Sequence, residues 1–214
     1  MTDKEYQKMA NDARRDLSRK YGFRQRSHIS FRVEGGYFFC LFFFNDEARL
    51  TVKPMYADDL WWDIWNASEN KKEPISLRGT GAYSLSGQIL AAYAIATTTV
   101  SLKLTDTFEC IFQKTITTIS QFLTTNPDAD TFYPDESKMD YDPDRLLYLM
   151  ALIHNNRTEE VLKIINEARK NKHRCMFHSG INGDSYTYIC RFCKRKHPIS
   201  KQISSLFRKI SDIL

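Results

Sequence analysis

Several patterns are missing from this chain of 214 residues, and each absence removes a class of function. No stretch approaches the roughly 18 consecutive apolar residues of a membrane-crossing helix. The opening, MTDKEYQKMANDARRDLSRK, is charged throughout and lacks the apolar centre of an export signal, so a cytoplasmic protein without membrane attachment is expected. The glycines of RGTGAYSLSG (78–87) match neither a dinucleotide fingerprint nor a lysine-terminated phosphate loop, and they read as turns or bulges. No Gly-x-Ser-x-Gly elbow and no His-Glu-x-x-His motif occurs, which takes the usual support from hydrolase readings. Five cysteines, an odd number, make a poor disulfide framework and are expected as reduced thiols. In that compartment the glycosylation-like triplets at Asn66 and Asn156 carry no weight.

What is present is the composition of a globular protein, 42% hydrophobic and 27% charged, which is enough to build a core without recourse to disorder. The net charge of +5 hides an asymmetry. Residues 169–214 carry eleven Lys/Arg against two acids, a net +9, leaving residues 1–168 with twenty against twenty-four, a net −4. The basic character therefore belongs to the C-terminal part, where its field would attract phosphates, acidic proteins or anionic surfaces.

Periodicity predicts an α+β fold. Thr2-x-x-Glu5 has the form of a capping box, and Tyr6, Met9, Ala10, Ala13, Leu17 and Tyr21 follow at helical spacing until Gly22. Ile29, Phe31 and Val33 then alternate with polar residues, Gly35-Gly36 supplies a turn, and Tyr37 to Phe44 is continuously apolar, as in a strand covered on both faces. With the alternating stretch from Arg49 to Lys53, this predicts an antiparallel meander from about residue 28 to 55. A short helix is expected over Asp58–Trp65, with Asp58 as its cap and the tryptophans facing the sheet. In 66–104 the run QILAAYAIA is helix or strand, and Val100, Leu102 and Leu104 alternate as a strand would. A long amphipathic helix is expected from Thr105, ending before Pro127, on the strength of Phe108, Ile111, Phe112, Ile116, Ile119, Phe122 and Leu123. After an acidic loop, Asp142-Pro143 opens a helical hairpin that turns at His154-Asn155-Asn156, and Ile203, Leu206, Phe207, Ile210 and Leu214 mark a last helix. The expected division is an α+β body over 1–140 and, packed on it, residues 141–214 with the hairpin, a ribbon-like segment and the final helix.

Chemistry concentrates in one place. Ten residues are Cys or His, and six of them (His173, Cys175, His178, Cys190, Cys193 and His197) fall within 173–197, where even scatter would place about one. Cys175-x2-His178 and Cys190-x2-Cys193 are two pairs of the kind that complete the tetrahedral N/S shell zinc prefers, with His173 and His197 as substitutes. Between them Gly180, Asn182, Gly183 and Asp184 can turn, and Tyr186, Tyr188 and Cys190 alternate as a strand delivering the second pair. The 19 residues CMFHSGINGDSYTYICRFC resemble the Cys-x2-His…Cys-x2-Cys zinc ribbon that opens bacterial-type DNA primases. The resemblance implies a local metal-binding fold; no primase catalytic domain accompanies it. Ordinary packing of reduced thiols and redox or catalytic thiol chemistry are the alternatives. Four protein ligands would close the zinc shell, so such a metal is structural rather than catalytic.

Beside the second pair, Arg191, Lys194, Arg195 and Lys196 interleave with Phe192, a set that can neutralise phosphates and stack on a base, or that can be a solvated basic face with Phe192 turned inward. The expected function is a non-enzymatic interaction protein, such as a small bacterial accessory or immunity-type protein, whose partner is a protein or nucleic acid with an acidic surface. The alternatives are nucleic-acid binding through the basic ribbon, and an enzyme whose site is assembled from distant residues such as His28, His154 and the acidic loop. That loop lacks the glycine and terminal glutamate of a calcium-binding EF-hand and reads as solvated.

Overall fold

The computed structural model describes residues 2–26, 28–44, 46–74, 85–95, 101–138, 145–173, 175, 178–179 and 183–196. The fold is α+β. Helix α1 (Asp3–Lys20) opens with the capping box: Thr2 N–H donates to the Glu5 carboxylate at 2.8 Å, and Glu5 N–H donates to Thr2 Oγ1 at 3.3 Å. It ends at Gly22, whose φ of +73° lets Phe23 N–H return to the Ser18 carbonyl at 2.7 Å.

Strands β1 (Arg24–Arg26), β2 (Ile29–Glu34), β3 (Tyr37–Phe43), β4 (Glu47–Pro54) and β5 (Gln88–Ala94) form an antiparallel meander in that order. Gly35 and Gly36, at φ +58° and +79°, make the tight β2–β3 turn; a Cβ at Gly36 would stand 3.0 Å from that of Ala129. On one sheet face Tyr37, Phe39, Leu41 and Phe43 join Leu50 and Val52 in a core closed by α1 and by α3 (Ser101–Thr125). On the other face Phe31, Phe38 and Cys40 are also buried, as the unbroken apolar run of β3 predicts. Lys20 and Tyr21 at the end of α1 both bond the Glu109 carboxylate of α3 and tie the two covering helices together.

Two local expectations are corrected here. The ambiguous run at 88–94 is a strand, and the alternation through Leu102 and Leu104 belongs to a helix that starts at Ser101, with Leu104 fully buried in the sheet core. Three residues of alternation do not separate the two periods, and the helical face continuing through Phe108 and Ile111 decides the matter. Helix α2 (Met55–Ile64) begins directly after β4 with Pro54 at its N-cap, so Asp58 is inside it rather than capping it. Asp58 is instead wholly buried against Lys53 Nζ at 2.7 Å, and that ammonium also donates to the Leu85 carbonyl at 3.2 Å.

The tryptophans do not face the sheet. Trp61 and Ile64 enter a second core, built with α4 (Leu146–His154), α5 (Thr158–Lys170) and α6 (Ser185–Lys196) around Leu149, Met150, Ile153, Val161 and Ile165. The helical hairpin α4–α5 turns at His154-Asn155-Asn156 as the sequence predicts, with Asn156 at φ +59°. This core draws α2 from the N-terminal half and the other helices from the C-terminal third. Asp142-Pro143 and the final helix expected over 203–214 lie outside the described residues. Among the described residues, no helix is long and apolar enough to cross a membrane.

Candidate interaction surface and Cys/His cluster

The Cys/His segment contains a two-stranded antiparallel ladder, β6 (His178–Ser179) with β7 (Gly183–Asp184), followed at once by α6. The stretch expected as an aromatic strand is therefore a helix. Its cause is local: Asp184 Oδ1 accepts from Thr187 N–H at 2.9 Å and from Thr187 Oγ1 at 2.8 Å, which satisfies a first-turn donor as an N-cap does. Arg169 of α5 lies 3.7 Å from the same carboxylate and donates to Thr187 Oγ1 at 3.1 Å, fixing the start of α6 against its neighbour.

Tyr186, Ile189, Cys190 and Cys193 recur at i, i+3, i+4 and i+7, and all four are buried in the second core. Cys175 is buried in that core as well, so three of the four residues predicted to ligate zinc share one apolar environment. Among the described residues, no three His, Cys, Asp or Glu side chains form a group placed to hold a metal ion, and the side chain of His178 lies outside them. His173 is exposed, with its ring 6.3 Å from that of Tyr186, and His197 lies outside the described residues. All five cysteines are thiols. Burial pushes the Cys190 thiol above its ordinary pKa, Arg169 and Lys194 pull it back in part, and Asp184 raises it; burial likewise raises Cys40. Neither is prepared as a thiolate nucleophile.

The opposite side of α6 carries the charge. Arg191, Lys194 and Arg195, at i, i+3 and i+4, are all exposed. With Tyr188, and with Ile64 and Asn66 at the end of α2, they line a shallow depression in whose wall no carboxylate stands among the described residues. Tyr188 stacks on Trp65 at 4.0 Å, and the Arg191 guanidinium lies 5.8 Å from the Tyr188 ring centre. Phe192 is partly buried and packs against the second core, so Tyr188 is the aromatic of this surface. Lys196 continues the helix, its side chain outside the described residues. A second groove, between α5 and α6, adds Lys163 and Lys170 beside Lys194, but Glu159 and Glu167 also line it. In the sequence, the Asp184 cap and the i, i+3, i+4 spacing of Arg191, Lys194 and Arg195 carry the signal for a shared helical face.

The distant residues considered for an enzyme are only partly brought together. His154 Nε2 lies 3.0 Å from Asp130 Oδ1 of the acidic loop, and its ring stacks on Tyr56 at 3.7 Å. This pair sits at the Gly35-Gly36 end of the sheet, where Ala129 meets Gly36 and Gly36 accepts from Met55 N–H at 2.9 Å. His28 stands at the other end of the hairpin, its carbonyl bonded by Phe43 N–H. Six residues of strand, roughly 20 Å, separate the two histidines. Two acids of the loop have local work: Asp128 accepts from Asp130 N–H at 3.0 Å, and Asp135 accepts from Ser137 N–H at 3.1 Å and its hydroxyl at 2.7 Å. No protein-family profile, no curated protein and no solved structure matches the chain.

Proposed function

We propose that this chain is a non-enzymatic interaction protein that uses the outer face of α6 to hold the acidic surface of another macromolecule. The observation that carries this reading is the three-cation face of Arg191, Lys194 and Arg195, exposed over a depression that they line with Ile64, Asn66 and Tyr188. The inner face of the same helix is anchored by Tyr186, Ile189 and Cys193, so the cations are presented on a fixed element and not on a loop. Nucleic acid is the second reading, favoured by Tyr188, since an aromatic among cations suits both a base and its phosphate. The test uses fluorescence anisotropy at low salt with two probes, labelled single-stranded DNA and labelled polyglutamate. Binding that is lost when Arg191, Lys194 and Arg195 are all changed to Glu supports the surface, and the tighter probe identifies the partner class. Absence of binding to both probes overturns it.

A structural zinc held by Cys175, His178, Cys190 and Cys193 is the second part of the proposal. It is supported by ligand type and spacing, and by three of the four residues sharing the core beside a two-residue ladder that is small for independent folding. The metal would clamp the start of the basic helix to the segment before it and would supply no catalysis. Metal analysis of purified protein should find close to one zinc per chain, with none in a Cys190→Ser, Cys193→Ser variant. A folded, metal-free parent that does not take up added zinc removes the metal and leaves the basic face to be judged by its own assay.

A further inference from the structure

Strand β5 ends the sheet: among the described residues β4 is the one strand paired with it, and at its first residue Gln88 Oε1 accepts from Asp135 N–H at 2.6 Å. The bond from Ile95 N–H to the Asp46 carbonyl, 2.7 Å long, sets the alternation: residues two apart face the same way, so Ala92 and Ala94 turn their N–H and C=O groups outward. The seven residues QILAAYA contain no charge and no proline. The opposite edge, β1, is three residues long and carries two arginines. Short charged edges resist pairing with another strand, whereas a longer uncharged edge invites it.

A groove of about 640 Å³ runs between this edge and α3, with Ala92, Ala94, Asp106, Cys110 and Lys114 in its wall. Asp106, Cys110 and Lys114 are spaced i, i+4 and i+8, and all three are exposed. Neither Asp106 nor Lys114 forms an ion pair among the described residues. The row is antisymmetric about Cys110, with one acid a turn before it and one base a turn after.

We infer that the chain forms a symmetric dimer in which β5 pairs antiparallel with β5 of a second copy. A two-fold axis normal to the sheet, passing beside Ala92, continues the meander through both copies and leaves both α3 helices on one face, running antiparallel. Cys110 then stands opposite its counterpart, and Asp106 of each copy faces Lys114 of the other. An isologous contact requires this self-complementarity, and it is satisfied twice.

Sedimentation velocity on the full chain tests the inference. The parent sediments as a dimer. Lys114→Asp sets two acids against each other at both ends of the helix contact and raises the dimer dissociation constant about ten-fold or more. The Asp106→Lys, Lys114→Asp double exchange restores it. A short bismaleimide links the parent into covalent dimers through Cys110, the one exposed cysteine of the five, and fails on Cys110→Ser. A parent that stays monomeric at every concentration overturns the inference, as does a dimer indifferent to Lys114→Asp or one that the double exchange does not recover.

Discussion

At the scale of single residues, the most consequential pair is Lys53 with Asp58, exposed by only 6% and 0% at their side chains. Removing one partner strands the other charge in the interior, whereas replacing both with apolar groups does not. Lys53→Met is therefore expected to cost about 3–5 kcal/mol in urea unfolding, and Lys53→Met with Asp58→Leu distinctly less. The sequence shows Asp58 only as a helix-capping residue type; its role depends on β4 running straight into α2, which periodicity does not reveal. Tyr37 makes a second prediction. Its ring is enclosed by Phe39, Phe122 and Phe132, its hydroxyl donates to the Asp128 carbonyl at 3.2 Å, and burial, with Asp128 and Asp130 adding, pushes its pKa up to about 12. The folded chain keeps this proton to about pH 12, while the unfolded chain releases it near 10. The contribution is thus intact below pH 10 and lost as pH rises through 12. Tyr37→Phe should flatten the fall of stability in that window, as denaturant titrations at successive alkaline pH values would show; an unchanged slope would count against the assignment.

At the scale of elements, legibility followed the length of the pattern. The capping box and eighteen-residue span of α1, the Gly35-Gly36 turn and the hairpin α4–α5 stand where periodicity puts them, because each rests on several turns or on a turn that only glycine accepts readily. Helix α6 departs from the expected strand because the alternation of Tyr186, Tyr188 and Cys190 is short, while the longer series Tyr186, Ile189, Cys190 and Cys193 is helical and Asp184 supplies the cap. Expecting a ribbon favoured the shorter pattern. The correction changes the candidate site: as a strand, 191–195 would scatter its cations over two faces, and as a helix it gathers Arg191, Lys194 and Arg195 on one. The cap can be tested by Asp184→Ala, which should cost about 1 kcal/mol of stability, read by thermal or urea unfolding.

At the scale of the whole molecule, the described residues build two large cores, one between the sheet and α1 and α3, the other among α2, α4, α5 and α6, beside the small cluster of Phe31, Phe38 and Cys40 on the other sheet face. The excess of Lys and Arg belongs to the last part of the chain rather than to either core, and within it α6 carries Arg191, Lys194, Arg195 and Lys196. The −4 of residues 1–168 and the +9 of residues 169–214 are evident from composition. The depression over Tyr188 was not, because it needs Ile64 and Asn66 from a helix more than a hundred residues earlier. The measurement that bears most directly on the α6 surface is the salt dependence of binding to single-stranded DNA, for the parent and for the variant with Arg191, Lys194 and Arg195 changed to Glu. Each phosphate neutralised contributes a slope of about −0.7 in log K against log salt, so engagement of these three cations gives the parent a slope steeper by roughly 2 or more. Equal slopes and equal affinities for parent and variant would contradict the account.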